Sequence, residues 1–205
     1  NYMVFFPSHA FMQEVCRVYS AMYPDEAREE YLFQEQSMDE ESREAFLARF
    51  EERGVWQEWD AAGSGSGSTG SPDQTPERTL LGFCVLGGIF SEGIDLKNDS
   101  LIGAVIVGTG LPMVCTEREI LKNYFDSQGD NGFDFAYRYP GMNKVLQAAG
   151  RVIRTVEDVG IVALLDERFL TSSYLKMFPR EWERDERVSL HQAARKVERF
   201  WDEWL

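Results

Sequence analysis

Apolar positions in this chain fall into two patterns, short continuous runs and longer stretches at helical spacing. Tyr2-Met3-Val4-Phe5-Phe6 is a continuous run, as expected of a strand buried on both faces. Pro7-Ser8 ends it, and Ser8 carries the hydroxyl an N-cap needs. Phe11, Val15, Val18 and Met22 then recur at helical spacing, so the opening reads as half of a βαβ unit. Tyr31-Leu32-Phe33 predicts a short second strand. Ser37-Met38-Asp39-Glu40 has the capping-box form and opens a helix to about Arg53, with Phe46, Leu47 and Phe50 inward. Leu80 to Leu86 and Leu101 to Val107 predict two further strands, residues 116–127 a helix, and Gly160 to Leu165 a fifth strand. The Gly- and aromatic-rich stretch 128–141 is expected to be irregular. From Ser172 a polar helical tail ends in Val197, Phe200, Trp201 and Trp204, an apolar stripe suited to docking on the body.

Apolar strands separated by helices argue for an α/β fold, a parallel sheet covered on both faces. Ligands of such sheets bind beyond the carboxyl ends of the strands. Pro7-Ser8, Ser91 to Asp95 and Asp166 to Arg168 all fall at or just after such ends, which predicts one working edge. Residues 61–72 have the Gly/Ser composition of a flexible linker, and the loop containing them, 61–76, is expected to join elements of one domain.

Composition narrows the function. A chain of 205 residues with 43% hydrophobic content can bury one core, with an appendage. No apolar run approaches the roughly 20 residues of a membrane span. The chain opens on a strand pattern without an initiator Met, so the expectation is an excised fragment with no signal peptide. The net charge of −14 argues against strong nucleic-acid binding by the isolated chain. That charge is uneven: residues 25–53 carry eleven acids against four arginines, whereas residues 147–205 are nearly balanced. A nucleic-acid surface should lie away from the acidic segment. Cys16, Cys84 and Cys115 are widely spaced, and with only His9 and His191 beside them a zinc or iron–sulfur site is not expected here. Reduced core thiols are the expectation.

The strongest candidate chemistry is Gln147-Ala148-Ala149-Gly150-Arg151-Val152-Ile153-Arg154. At helical spacing Gln147, Gly150, Arg151 and Arg154 share one face, while Leu146, Ala149 and Ile153 share another that can be buried. Two guanidiniums and an amide on one side suit a phosphoryl group gaining charge on its oxygens. The bland alternative is a solvated helix with ordinary arginines. Ser91-Glu92-Gly93-Ile94-Asp95 follows Gly87 and Gly88 after a buried strand. Its carboxylates could meet a ribose, a Mg-bound water or a facing arginine, or could simply decorate a tight turn. Leu111-Pro112-Met113 reads as a surface loop. Phe133, Tyr137 and Tyr139 near Arg138 and Lys144 could stack bases, although aromatics at this density more often fill core. There is no Walker A sequence, no DExx-type box and no Gly-x-Ser-x-Gly elbow, and His9 reads as a helix-start residue.

Three segments together resemble a known pattern. Val4-Phe5-Phe6-Pro7-Ser8 is similar to helicase motif IV, Gly88 to Asp95 to motif V, and Gln147 to Arg154 to motif VI. Their order and spacing resemble the second RecA-like motor domain of superfamily 2 DNA helicases of the DinG/XPD type, over about residues 1–180. Asp166-Glu167-Arg168-Phe169 and the long segment between motifs V and VI share the likeness. The resemblance implies a RecA-like parallel sheet with helices on both faces, a helical segment between motifs V and VI, and a C-terminal helix, 181–205, packed on the domain. It implies ATP-driven 5′→3′ translocation on single-stranded DNA, with ATP and Mg2+ held mainly by a first RecA-like domain outside this chain. Arg151 and Arg154 would be arginine fingers and Gln147 a coupling residue at the nucleotide. Glu92, Gly93, Asp95 and Gly150 would line the nucleotide cleft, and Pro7, Ser8, Leu111 and Pro112 would face the DNA. Any iron–sulfur cluster would lie outside this chain. The resemblance further implies a cytoplasmic, nucleoid-associated protein of DNA repair, inactive as this piece alone. The alternative is a catalytically silent RecA-like scaffold, which loss of the motif VI arginines would mark.

Overall fold

The computed structural model describes residues 1–23, 29–53, 79–91, 96, 100–155, 158–182 and 185–204. Five strands form one sheet: β1 (Tyr2–Phe6), β2 (Glu29–Phe33), β3 (Thr79–Val85), β4 (Gly103–Val107) and β5 (Ile161–Leu165). Their order is β2-β3-β1-β4-β5, and every pairing is parallel. This is the RecA-like α/β sheet expected, with each strand within two residues of its predicted bounds. The central strand is the one read first in the sequence.

Helices cover both faces because β1 is apolar on both. Met3 and Phe5 point to one side, where α2 (Glu40–Arg53) and α4 (Tyr139–Ala149) close the main core with Phe46, Phe50, Met142, Val145 and Ala148. Phe6 points to the other side, against Met12 of α1 (His9–Met22) and Phe83 of β3. Gly82 in β3 lets α2 come close. A Cβ there would lie 2.6 Å from Phe50 Cζ, so only a bare backbone leaves room for that fully buried ring. Burying such a side chain contributes roughly 1.5–3 kcal/mol.

Ser8 does cap α1, its Oγ accepting the Phe11 N–H at 3.2 Å. The buried stripe of α1 is Met12 with the half-buried Val15 and Cys16, whereas Phe11, Val18 and Met22 are exposed. Apolar residues occupy two adjacent phases of this helix, and packing on Phe6 and Phe83 selects one. The residue before α2 is Asp39, not Ser37: its carboxylate accepts the Ser42 N–H at 2.8 Å. The stretch 128–141 is ordered rather than irregular. After α3 (Thr116–Ser127) a π-helical turn, Asp134–Arg138, leads straight into α4. Gly132 permits it by packing against the Lys122 carbonyl, where a Cβ would lie 2.0 Å away. Phe135 stacks on Phe125 at 4.0 Å, Arg138 pairs with Asp134, and its guanidinium lies 5.5 Å from the rings of Phe133 and Tyr174. Tyr137 is buried and donates to Glu119 at 2.5 Å. Tyr137 and Arg138 are thus committed to the body of the domain and do not form an open base-stacking platform.

Beyond β5 come a 3-10 turn (Glu167–Leu170), α5 (Ser172–Leu175), a second 3-10 turn (Arg180–Trp182) and α6 (Leu190–Trp204). Trp201 Nε1 donates to the Tyr2 hydroxyl at 2.6 Å, which ties α6 to the amino edge of the sheet. The Tyr2 ring packs against Gly103, where a Cβ would approach to 2.2 Å. Trp204 at the end of the stripe stays exposed. Cys84 is a core thiol that burial pushes far above its ordinary pKa, but Cys115 is exposed at the start of α3 and is not a core residue. The 61–76 loop lies outside the described residues.

Candidate functional site

The carboxyl ends of all five strands share one edge, and their loops meet there. Gly108, with φ +81°, follows β4. A Cβ on it would lie 3.8 Å from Pro7 after β1 and 4.0 Å from Asp166 Oδ2 after β5. Pro7 and Ser8 are exposed at this edge, and Leu111 and Pro112 are half-buried. Asp166 holds Arg168 through two contacts of 2.8 and 2.6 Å. The Arg168 side chain, ahead of the opposing effect of burial, keeps the Asp166 carboxyl below the usual carboxylate range.

The turn after β3 is the most elaborately held part of this edge. Gln34 Oε1, just past β2, accepts the Val85 N–H at 2.9 Å, and a Cβ on Gly88 would lie 2.8 Å from Gln34 Nε2. Gly87 takes φ +72°, the left-handed region a tight turn needs from glycine. Ser91 is fully buried; its Oγ accepts the Gly87 N–H at 3.0 Å and donates to the Val85 carbonyl at 3.3 Å. Phe90 is equally buried and stacks on Phe46 of α2 at 4.2 Å. The turn is therefore fixed from β2, from α2 and from within.

The arginine stretch reaches this turn by a route the sequence spacing did not foresee. α4 ends at Ala149, so Arg151 and Arg154 lie beyond the helix and not on its face. The last bonds tighten to i→i−3: Arg151 N–H donates to Ala148 and Val152 N–H to Ala149. Asp158 Oδ2 then accepts the N–H groups of Arg154 at 2.7 Å and Thr155 at 2.6 Å, which fixes the chain outside the helix. Burial, the largest single influence on Asp158, works to raise its pKa, but those backbone donors outweigh it and hold the carboxyl low. Met142, Val145, Ala148, Ala149 and Val152 form the buried side of the segment, while Ile153 is exposed.

Freed from the helix, Arg151 turns inward. Its Nε and Nη2 both donate to the Ser91 carbonyl, at 3.2 and 3.1 Å. Residues sixty positions apart are thereby joined, and Arg151 is half-buried. Arg154 is exposed, with Nη2 on the Arg151 carbonyl at 3.2 Å. Gln147 and Gly150 are also exposed, one turn back. Glu92, Gly93 and Asp95 lie outside the described residues; Ser91, which immediately precedes them, is the point of contact. Sequence reasoning missed Gln34, Phe46 and Asp158 as supports of this site. Only Asp158 left a local signal, an acidic residue shortly after the arginine stretch, where it can accept from backbone.

The family model for the helicase C-terminal domain matches residues 1–185. The ATP-dependent DNA helicase DinG of Photobacterium profundum is 37% identical over 91 residues, 43% of this chain and 13% of the relative. The human regulator of telomere elongation helicase 1 is 30% identical over 176 residues, 82% of this chain and again 13% of the relative. The matched stretch thus spans about an eighth of the length of these curated relatives. Among solved structures, one of XPD in its apo form superposes with a TM-score of 0.57 at 23% identity, over 86% of this chain and 30% of that one. That likeness is one of fold. The chain belongs to the helicase C-terminal domain family.

Proposed function

We propose that this chain is the second motor half of an ATP-dependent DNA helicase moving 5′→3′ on single-stranded DNA. The observation that carries the reading is the junction of Arg151 with the Ser91 carbonyl, which brings the arginine segment to the glycine turn on the sheet's working edge. Arg154 and Arg151 carry guanidiniums, the donor type that fits the anionic oxygens of a nucleotide triphosphate. In this reading they act as arginine fingers on ATP cradled by the first motor domain, with Glu92, Gly93, Asp95 and Gly150 beside it. Gln147 couples the nucleotide to motion. Among the described residues no group of three or more His, Cys, Asp or Glu side chains could hold a metal ion, and the proposal assigns Mg2+ to the first domain. The bound nucleotide supplies phosphoryl transfer; this chain supplies charge that reaches it only on domain closure. Hydrolysis then depends on closure, and closure moves two grips on the DNA relative to each other. Pro7, Ser8, Leu111 and Pro112 form this half's grip, and the chain alone turns over no ATP. Both arginines are present, which favours the motor over a silent scaffold.

The test uses the full-length protein. Arg154→Ala should lower DNA-stimulated ATP turnover by roughly 10³–10⁵-fold. Arg154 is exposed, so the substitution should leave thermal stability nearly unchanged. Wild-type turnover in this variant would dismiss the motor assignment.

A further inference from the structure

The turn that Arg151 grips at its end has a second cation at its start. Lys144 sits on α4, on the same side as Gln147 three residues later. Its stem runs between two glycine turns that both take positive φ, Gly87 at +72° after β3 and Gly110 at +64° after β4. A Cβ on Gly110 would lie 3.6 Å from Lys144 Cβ, and one on Gly87 2.8 Å from Lys144 Cε and 3.3 Å from Nζ. The two glycines thus leave a channel that carries the ammonium from the helix to the carboxyl edge. In a chain with 35 acidic residues against 21 Lys and Arg, this ammonium makes no hydrogen bond or ion pair with any described residue. The stem is half-buried and packed, so much of its rotamer freedom is already spent before any ligand arrives. Gly87 to Ser91 is therefore bracketed by Lys144 on one side and Arg151 on the other, at the edge where ligands of parallel sheets bind.

We propose that the Lys144 ammonium is a phosphate-binding point at the mouth of the Gly87–Ser91 turn. A compact ammonium on a guided stem binds a phosphate oxygen as a point charge, complementary to the forked arginines beyond the turn. The phosphate belongs either to the DNA backbone or to the nucleotide. The inference rests on the motor reading above, because that reading supplies both phosphates.

Lys144→Gln and Lys144→Arg in the full-length protein provide the test, with two readouts. The first is affinity for a single-stranded oligonucleotide from about 50 to 200 mM salt. If Lys144 holds a DNA phosphate, the slope of log K against log salt in Lys144→Gln falls by about 0.7, and Lys144→Arg restores it. The second is affinity for a non-hydrolysable ATP analogue without DNA. If Lys144 holds a nucleotide phosphate, Lys144→Gln weakens this by about tenfold or more, with rescue by Arg. Wild-type slope and wild-type nucleotide affinity together in Lys144→Gln overturn the proposal, as does a loss that Arg fails to rescue and that tracks a lowered melting temperature. A wild-type protein that binds neither DNA nor nucleotide overturns the motor reading and this inference with it. A working wild type with an indifferent Lys144→Gln overturns this inference alone.

Discussion

Replacing Ser91 by Ala probes the turn at its most buried point. Ser91 is fully buried, and its hydroxyl makes two bonds, accepting from Gly87 N–H at 3.0 Å and donating to Val85 O at 3.3 Å. The two losses are unequal. Val85 O keeps the Gly88 N–H at 3.0 Å, so it remains satisfied. Gly87 N–H is left without its acceptor, and stranding one partner of a buried bond costs about 1–3 kcal/mol, against about 0.5–1.5 for an ordinary lost bond. The expected destabilisation is about 2–3 kcal/mol. At about 2–4 °C per kcal/mol for a chain of this size, the melting midpoint should drop by roughly 4–12 °C. Thermal and denaturant unfolding of both forms measure this directly, and an unchanged denaturant slope would confirm that stability rather than compactness changed. An unchanged midpoint would show that the Gly87 N–H finds another acceptor and that Ser91 does not hold the turn.

Three further outcomes follow from the packing and the titrating groups. Gly82→Ala sets a methyl 2.6 Å from Phe50 Cζ and should cost about 1–3 kcal/mol; adding Phe50→Leu should recover part of it, and strict additivity in denaturant melts would refute the clash. The bond to Glu119 pushes the Tyr137 phenol up to about 12, so its contribution is present below pH 10 and lost as pH rises towards about 12. Stability measured across that window should fall less in Tyr137→Phe than in wild type. The Asp158 carboxyl is held below its ordinary 3.8, so its contribution is present above that pH and lost as pH falls through the folded value. Asp158→Ala should be less stable than wild type near neutrality, by about 1 kcal/mol on the scale of a lost cap, and the gap should narrow in acid; a constant gap would contradict the backbone-cap role.

What could be read from the sequence was what repeats locally. Strands of a parallel sheet are buried on both faces, so β1, β3 and β4 stand out as uninterrupted apolar runs whatever their neighbours are. The working edge followed, because polar clusters after such runs must gather at the carboxyl ends. α1 shows the limit of periodicity. Apolar residues fill two adjacent phases, and only the rings of Phe6 and Phe83 decide that Met12 goes in and Phe11 out. The arginine stretch shows a different limit. Its residue types pointed to the right chemistry, but the assumed helical face depended on the helix continuing past Gly150. What aims Arg151 is an acceptor sixty residues earlier, the Ser91 carbonyl, and Asp158 gathers the backbone beyond the helix. Such partners have no fixed spacing in sequence, so no pattern within the motif can announce them. The consequence reaches past geometry. Had Arg151 and Arg154 shared a rigid helix face, both would move with α4. As observed, Arg151 is tied to the turn after β3 while Arg154 hangs from the loop capped by Asp158. The two guanidiniums are thus joined in series, Arg154 through the Arg151 carbonyl and Arg151 through the Ser91 carbonyl, so a shift of the turn would reach both.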